Sequence, residues 1–309
     1  MDGITDHCYR NAWMETFGPY ATMRRAVSPF VTLVRGHTVR PSHLADLLPE
    51  NNRMQVEPQI LGNEAEYFAP MAQALSDMGY TSVNWNLGCP MRQVAGKRRG
   101  CGMLPYPEMI DGFLSRVLPS SPIALSVKLR LGYFSKDEIF PVLEVLNRFP
   151  LRYVAVHPRI GKQLYTGEAD WDMLEKVLPH LRHECVYSGD IDSEEKALAF
   201  VARFPSINRI MLGRGVIADP FLPCRLAGTH FTPEEEKRLF ARFLWVLLRQ
   251  YGNTFPEKTV LQRQKMFWSR FSGNFVPPEG FEKVKRITGM TGYTALLAAW
   301  FGEPVLNVG

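Results

Sequence analysis

Residues 123–130 read Ile-Ala-Leu-Ser-Val-Lys-Leu-Arg, a short stretch in which apolar and polar side chains alternate. This alternation predicts a β-strand, because successive side chains of a strand point to opposite faces. Similar short apolar stretches lie at 21–27, 54–61, 82–87, 152–157, 184–188 and 207–212. Helix-like segments separate them near 64–78, 106–118, 136–148, 171–181 and 193–203. Strands that alternate with helices predict a parallel sheet with helical crossovers.

The predicted strands end in polar or glycine residues, which are Gln59, Asn86, Lys128, His157, Gly189 and Gly213. In a TIM (β/α)8 barrel the carboxyl ends of all strands open onto one face, and that face holds the active site. We therefore predict such a barrel, with these residues at its mouth. The sequence offers seven strands where the barrel needs eight. A first strand would lie before Met1. Either the start is misassigned, or the chain is truncated, or another segment fills the gap.

The pattern changes after residue 230. Apolar residues from Phe240 to Tyr251 recur with helical spacing, and Thr232 with Glu235 forms a capping box. Further helices are predicted near 259–271, 279–287 and 291–301. We therefore divide the chain into a barrel domain, residues 1–229, and a helical domain, residues 230–309.

Charge is unevenly spread over the 309 residues. The net charge is +5, and residues 230–309 hold 11 Lys/Arg against 7 Asp/Glu. A basic tail on a nearly neutral body indicates an anionic partner such as RNA, with a solvated helical surface as the alternative. The sequence has no run of eighteen apolar residues, so we expect no membrane span. Its five scattered cysteines lack CxxC spacing, which favours reduced thiols in a cytoplasmic protein without a metal site.

One cysteine lies among the strand-end residues, in Asn86-Leu87-Gly88-Cys89-Pro90. A thiol on a loop past a strand can act as a nucleophile or a general acid, although a buried structural cysteine is the alternative. The loop 96–102 follows, and its cations Lys97, Arg98 and Arg99 stand between glycines. Such a loop can hold a phosphate backbone near the thiol, or it can be an ordinary basic surface loop.

The remaining strand ends indicate a charged heterocyclic ligand. Lys128 and Arg130 share one face of their strand, and the barrel mouth is favoured because a charge buried behind helices is costly. There Lys128 could stabilise a reduced flavin, or form a structural ion pair. Gln59 suits the edge of a heterocycle, and His157 could donate to the same ring or titrate near neutral pH.

The last two strands point to a phosphate. In barrels, phosphate is often bound by backbone N–H groups of the loops after strands 7 and 8. The corresponding loops here are Ser188-Gly189-Asp190 and Gly213-Arg214-Gly215. Glycine allows an anion to approach the backbone closely, and Arg214 adds charge.

Taken together, these motifs resemble one known family. The motifs are Met1-Asp2-Gly3-Ile4-Thr5, Gln59-Ile60-Leu61-Gly62, Asn86-Leu87-Gly88-Cys89-Pro90, Val127-Lys128-Leu129-Arg130-Leu131-Gly132, Val156-His157-Pro158-Arg159, Tyr165-Thr166-Gly167, Asp170-Trp171, Gly189-Asp190 and Met211-Leu212-Gly213-Arg214-Gly215. Their order and spacing are similar to those of the tRNA-dihydrouridine synthases over nearly the whole chain.

The resemblance implies an FMN enzyme that uses NADPH to reduce a uridine in tRNA, with a TIM barrel and a helical RNA-binding domain. It implies Cys89 as the catalytic acid. The implied FMN contacts are Met1, Gly3, Gln59, Lys128, His157, Ser188, Gly189, Asp190, Gly213 and Arg214. The implied substrate contacts are Asn86, with Arg263 and Lys265 on basic RNA-facing helices, to which we add Arg98 and Arg99 of the loop near the thiol. We expect a monomer.

Three positions depart from the family pattern: Asn84 replaces an Asp, Ser188 an Asn and Pro158 a Gly. The loop 97–102 also differs from the family's run of small residues. Two alternatives therefore stay open. One is a flavin reductase that acts on another RNA or a small molecule, and the other is a flavin-free RNA-binding barrel.

Overall fold

Seven parallel strands form the centre of the protein. The structure is a computed structural model that describes residues 3–33, 44–271 and 279–302. The strands are β1 Arg25–Thr32, β2 Gln55–Leu61, β3 Ser82–Leu87, β4 Ala124–Gly132, β5 Val154–Ile160, β6 Cys185–Tyr187 and β7 Arg209–Ile210. Each strand pairs with the next along the chain, in the order β1 to β7. The predicted parallel β/α barrel class is confirmed, in the form of a half-barrel.

Helices follow most of the strands, as the sequence predicts. They are α1 His7–Thr16, α2 Ala65–Asp77, α3 Arg92–Ala95, α4 Pro107–Val117, α5 Ile139–Leu146, α6 Trp171–Val177, α7 Glu194–Arg203, α8 Arg214–Ala218, α9 Leu222–Arg225, α10 Pro233–Thr254, α11 Glu257–Trp268, α12 Gly280–Arg286 and α13 Met290–Phe301. The predicted capping box is present, since the Thr232 hydroxyl accepts from the N–H of Glu235 at the start of α10. The sequence analysis missed α1.

The first strand begins and ends later than predicted. The prediction placed it at 21–27, whereas β1 continues to Thr32 across Pro29. The pairing with β2 shifts between Val27 and Phe30, and the N–H of Gln59 donates to the Ser28 hydroxyl at 2.9 Å. A proline is tolerated at such an irregularity because no ladder hydrogen bond is required of it. The Ser-Pro pair concealed the second half of the strand.

The half-barrel has an open seam. Within the described ranges, β1 pairs only with β2 and β7 only with β6. The structure therefore has seven strands where a closed barrel has eight. The expected strand before Met1 stays a prediction, and Met1 itself lies outside the described residues.

Two large hydrophobic clusters stabilise the fold. The first lies between the sheet and its outer helices, where for example Trp85 of β3 stacks on Phe113 of α4 at 4.1 Å between centroids. The second joins α1 to the C-terminal helices, and it includes Trp13 together with Phe221 and Phe243. This cluster extends across the predicted domain boundary at residue 229, which stays a prediction.

Two classes of feature are absent from the described part of the chain. None of its helices combines the length and the apolar character needed to cross a bilayer. It contains no group of three or more His, Cys, Asp and Glu side chains able to hold a metal ion.

Ion pairs with Asp46 hold the start of α1 in place. Asp46 accepts from His7 Nδ1 at 3.2 Å and from Arg10 Nη1 at 3.1 Å. The hydrogen bond to Asp46 and a second contact with Cys8 raise the pKa of His7 to about 9, although burial opposes this. His7 is therefore protonated at neutral pH in the folded protein.

We expect this histidine to make folding pH-dependent. Its folded pKa lies above the unfolded value, so the stabilisation is complete below the unfolded pKa and is lost as pH rises through about 9. The shift corresponds to about 3 kcal/mol. Urea unfolding from about pH 7 to about pH 10 should show a decline in the parent that His7→Gln lacks. His230→Gln, at an exposed histidine paired with Glu194, should decline like the parent. A His7→Gln variant with the parent's pH profile would contradict the assignment.

Candidate active site

A cavity of about 1690 Å³ runs along the inner face of the half-barrel. It brings together most of the predicted site residues: Gln59, Asn86, Cys89, Arg99, Lys128, His157, Ser188, Gly189, Asp190, Gly213 and Arg214 all line it. They come from the carboxyl ends of β2 to β7, which is the edge where a parallel barrel binds its ligands. Residues far apart in sequence therefore face one common space.

Cys89 is held on a rigid loop. The side-chain carbonyl of Asn86 accepts from the backbone N–H groups of Gly88 and Cys89, both at 2.9 Å. On the other side, the N–H of Cys101 donates to the Cys89 carbonyl at 3.2 Å. Gly100 has a φ of +55°, and a Cβ there would lie 2.6 Å from the same carbonyl oxygen. Cys89 is 9% exposed and lines the cavity.

The Cys89 loop is the upper end of a ladder of amide side chains inside the half-barrel. Asn86 Nδ2 donates to Gln59 Oε1 at 2.8 Å, and Gln59 Nε2 donates to Asn84 Oδ1 at 2.8 Å. Asn84 is fully buried, and its Nδ2 donates onward to the Ser126 hydroxyl at 2.8 Å. Along this series of side-chain hydrogen bonds, every donor points away from the Cys89 loop.

A carboxylate ends the ladder and sets its direction. Ser126 donates to Glu57 Oε1 at 2.9 Å, and the Tyr153 hydroxyl donates to Glu57 Oε2. A carboxylate accepts only, so it fixes the direction of each hydroxyl and amide above it. Burial and the nearby Glu57 both raise the pKa of Tyr153, which therefore keeps its proton.

Sequence reasoning missed the lower half of this ladder. The available signal was the repeat of polar residues two positions apart, as in Glu57 with Gln59 and Ser126 with Lys128. Residues of equal parity in a strand share a face. The polar inner face was therefore readable from the sequence, whereas the pairing of Glu57 with Tyr153, 96 residues away, was not.

The cavity contains an uncompensated cation. Within the described residues, the Lys128 ammonium has no ion pair or hydrogen bond. Its pKa is lowered to about 8, first by burial and then by the neighbouring guanidinium of Arg130. A ligand that brings negative charge or acceptor atoms to this point would favour the charged form and raise the pKa of Lys128 again.

Arg130 joins the loops around the mouth. Its side chain is almost completely buried, and it donates to the carbonyls of Gly88 at 3.1 Å, Ile160 at 2.8 Å and Leu164 at 2.6 Å. Its guanidinium also lies 5.1 Å from the ring centroid of Tyr165. The predicted placement of Lys128 and Arg130 on the mouth side of β4 agrees with these contacts.

The predicted phosphate end centres on Asp190, which forms ion pairs with both Arg159 and Arg214. Burial alone would raise the pKa of Asp190, but the two arginines, Arg159 first, hold it below its ordinary value. A Cβ on Gly213 would meet nothing within 4 Å, so the space beside that backbone is open. Glycine is required at position 189 for a different reason, because a Cβ there would lie 1.9 Å from the Tyr187 hydroxyl oxygen.

Some predicted residues do not line the cavity. Gly3 packs under α11, where a Cβ on it would lie 2.6 Å from Met266 Cε. Arg263 pairs with Asp6, and its guanidinium stacks on Phe255 at 4.2 Å from the ring centroid. Arg263 therefore connects the start of the chain to α11, and its contact with RNA stays a prediction.

The other basic candidates have partners of their own. Arg98 is exposed and lies 4.3 Å from the ring centroid of Tyr106. Arg99 pairs with Glu64 at 3.2 Å while still lining the cavity. Lys265 donates to the carbonyl of Lys285 at 2.9 Å. Of these, only Arg99 shares the space occupied by Cys89.

The amide ladder generates a stability prediction at Asn84. Replacement by Asp removes the donor to Ser126 and adds a carboxylate one hydroxyl away from Glu57. We expect Asn84→Asp to cost on the order of 3 kcal/mol, because a buried carboxylate would then lie near the half-buried carboxylate of Glu57. Adding Glu57→Gln should restore at least about 1 kcal/mol of this in a double-mutant cycle measured by urea unfolding. Additive effects, or an Asn84→Asp protein as stable as the parent, would refute the ladder's directionality.

Comparisons with known proteins identify relatives of this chain. Residues 1–268 match the family model described as Dihydrouridine synthase (Dus). A tRNA-dihydrouridine synthase B of Pasteurella multocida is 29% identical over 166 residues, which cover 53% of this chain and 49% of that protein. A probable tRNA-dihydrouridine synthase of Staphylococcus epidermidis is 27% identical over 229 residues, covering 72% of this chain and 68% of that protein. The matched part thus spans about half the length of the first relative and two thirds of the second.

The fold also has a counterpart among solved structures. A histamine dehydrogenase from Rhizobium sp. 4-9 superposes with a TM-score of 0.53 at 9% identity, over 79% of this chain and 47% of that one. At that identity the likeness concerns the fold alone. Because the family model covers most of the chain, including the strand ends and the Cys89 loop, this protein belongs to the dihydrouridine synthase family.

Proposed function

We propose that this protein is an FMN-dependent tRNA-dihydrouridine synthase, which uses NADPH to reduce the C5–C6 bond of a uridine in tRNA. The observation that carries the proposal is the single cavity shared by Cys89, the partnerless Lys128 and the open backbone of Gly213. Family membership and the names of the relatives support the reaction.

The residues present fit FMN. The half-buried Lys128 cation needs negative charge or an acceptor, and Arg214 with the open space beside Gly213 suits a phosphate. Gln59 and His157 line the same cavity and offer hydrogen bonds to a heterocycle. When bound, the flavin supplies hydride transfer from NADPH to the pyrimidine.

The role left to the protein is to hold the base and supply a proton. Cys89 Sγ is the proposed general acid at C5, and the amide ladder keeps its loop at a fixed distance from Gln59. Asn86 is proposed to lie beside the substrate base. Both of its side-chain polar atoms already make hydrogen bonds within the protein, which fixes its orientation before substrate arrives.

An RNA substrate is supported by the basic loop. Lys97 and Arg99 line the same cavity as Cys89, and Arg98 is exposed beside them. The excess of cations in residues 230–309 supports the same partner. Lys265 stays a proposed RNA contact. We also propose that the protein acts as a monomer. A cytoplasmic location is proposed separately, because all five cysteines are free thiols.

The first test removes the thiol. Cys89→Ala should keep the visible absorption of bound flavin while dihydrouridine formation falls by about 100-fold or more, since a general acid contributes on that order. Mass spectrometry of nucleosides from treated tRNA measures the product. Cys185→Ala is the matched control, because Cys185 on β6 does not line the cavity. Unchanged product from Cys89→Ala would remove the thiol from the mechanism, and a protein without flavin would favour the RNA-binding alternative.

The second test uses the lowered pKa of Lys128. The ammonium binds an anionic ligand only while protonated, so FMN affinity should fall as pH rises through about 8. Lys128→Met should bind FMN more weakly and lose this pH dependence. Quenching of flavin fluorescence measures both. Lys162→Met, which changes a lysine on the ring of Phe134, should titrate like the parent. Equal pH profiles for Lys128→Met and the parent would contradict the proposed contact.

A further inference from the structure

His157 lies on β5 and has two different environments at its two ring nitrogens. It is 8% exposed and lines the cavity. Its Nε2 lies 3.2 Å from Nη1 of Arg159, two residues further along the strand. Its Nδ1 has no hydrogen-bond partner among the described residues. One ring nitrogen is therefore engaged by the protein, and the other is left for a ligand.

The contact with Arg159 determines where the ring carries its proton. A guanidinium is always charged and has donors only, so Nε2 must accept and cannot hold a hydrogen. A neutral imidazole with its lone pair on Nε2 carries its proton on Nδ1. Burial, followed by the charges of Lys128 and Arg130, holds the pKa of His157 far below its usual value, which excludes the doubly protonated ring.

Arg159 is itself fixed in place. Its side chain is 1% exposed, and it forms an ion pair with Asp190 and donates to the Gly167 carbonyl. Asp190 is also paired with Arg214, so the same carboxylate anchors two arginines. The guanidinium consequently cannot turn away from His157 without leaving a buried charge unpaired, which is costly.

We infer that Arg159 is a positioning residue, anchored by Asp190, that fixes His157 as a neutral donor with its N–H at Nδ1 facing the ligand. Resting on the proposed function, this gives His157 a defined part: it donates to an acceptor atom of the flavin and neither gives nor takes a proton in the reaction. A ligand that presented a donor at this point would meet a second donor and be rejected.

The wild-type protein tests this directly. NMR of protein labelled with ¹⁵N-histidine distinguishes a ring nitrogen that carries hydrogen from one that does not. His157→Asn identifies the His157 signals, and the other histidines of the seven serve as internal references. We expect hydrogen on Nδ1, none on Nε2, and no titration across the range where histidine normally ionises. A proton on Nε2, or titration near the ordinary value of about 6.5, would overturn the inference.

Two variants separate positioning from packing. Arg159→Met removes the donor, so the proton should move to Nε2 and FMN binding should weaken by roughly tenfold, the effect of one lost hydrogen bond. Arg159→Lys keeps a cation with donors only, and we expect it to retain the Nδ1 proton and most of the affinity. An Nδ1 proton unchanged in Arg159→Met would refute the role of Arg159.

The two arms of the experiment fail independently. The ring proton is observed without FMN or RNA, so it reports on Arg159 even if the protein binds no flavin. Absence of flavin binding in the parent would instead count against the proposed function. If Arg159→Met does not fold, the wild-type spectrum still decides where the proton lies.

Discussion

The buried guanidinium of Arg130 is the constraint on which the site depends. Its donors bind carbonyls of the loop after β3 and of the loop after β5, so a single side chain sets the distance between Gly88, beside the thiol, and Leu164. The positive charge of Arg130 is not neutralised, because its hydrogen-bond acceptors are neutral carbonyl groups. Lys128 lies close enough for its pKa to be lowered by this charge. The requirement for an anionic ligand therefore follows from the way in which the mouth is held together.

Positive charge in the cavity is concentrated around His157. Lys128, Arg130, Arg159 and Arg214 all act to lower the pKa of that ring. The carboxylate paired among them is Asp190, which is shared by two of the four cations. Two of these cations, Arg130 and Arg159, are buried. Placing four cations around one carboxylate is costly, and a bound phosphate would offset part of that cost.

The sequence was sufficient for the elements whose signal is local. The strand ends, the capping box at Thr232 and the convergence of Lys128 with Cys89 follow from periodicity and from the rule that parallel strands open onto one face. The extent of β1 was hidden because Pro29 interrupts its pattern. The family resemblance implied an RNA-facing role for Arg263, and only the structure shows its ion pair with Asp6. Partners that lie across the fold leave no trace in a single sequence.

The three functional side chains divide their tasks according to what each environment allows. Lys128 can respond to a ligand by changing its protonation, because burial has brought its pKa close to neutrality. His157 cannot, because a proton on Nε2 would face Arg159 and would add a further positive charge to the site. The His157 ring can therefore orient a ligand through a hydrogen bond, but it brings no charge to the site. We assign proton donation to Cys89, whose loop is held by Asn86 and which lines the cavity. The assignment of the thiol as the acid thus rests on the exclusion of the histidine as much as on the position of the cysteine.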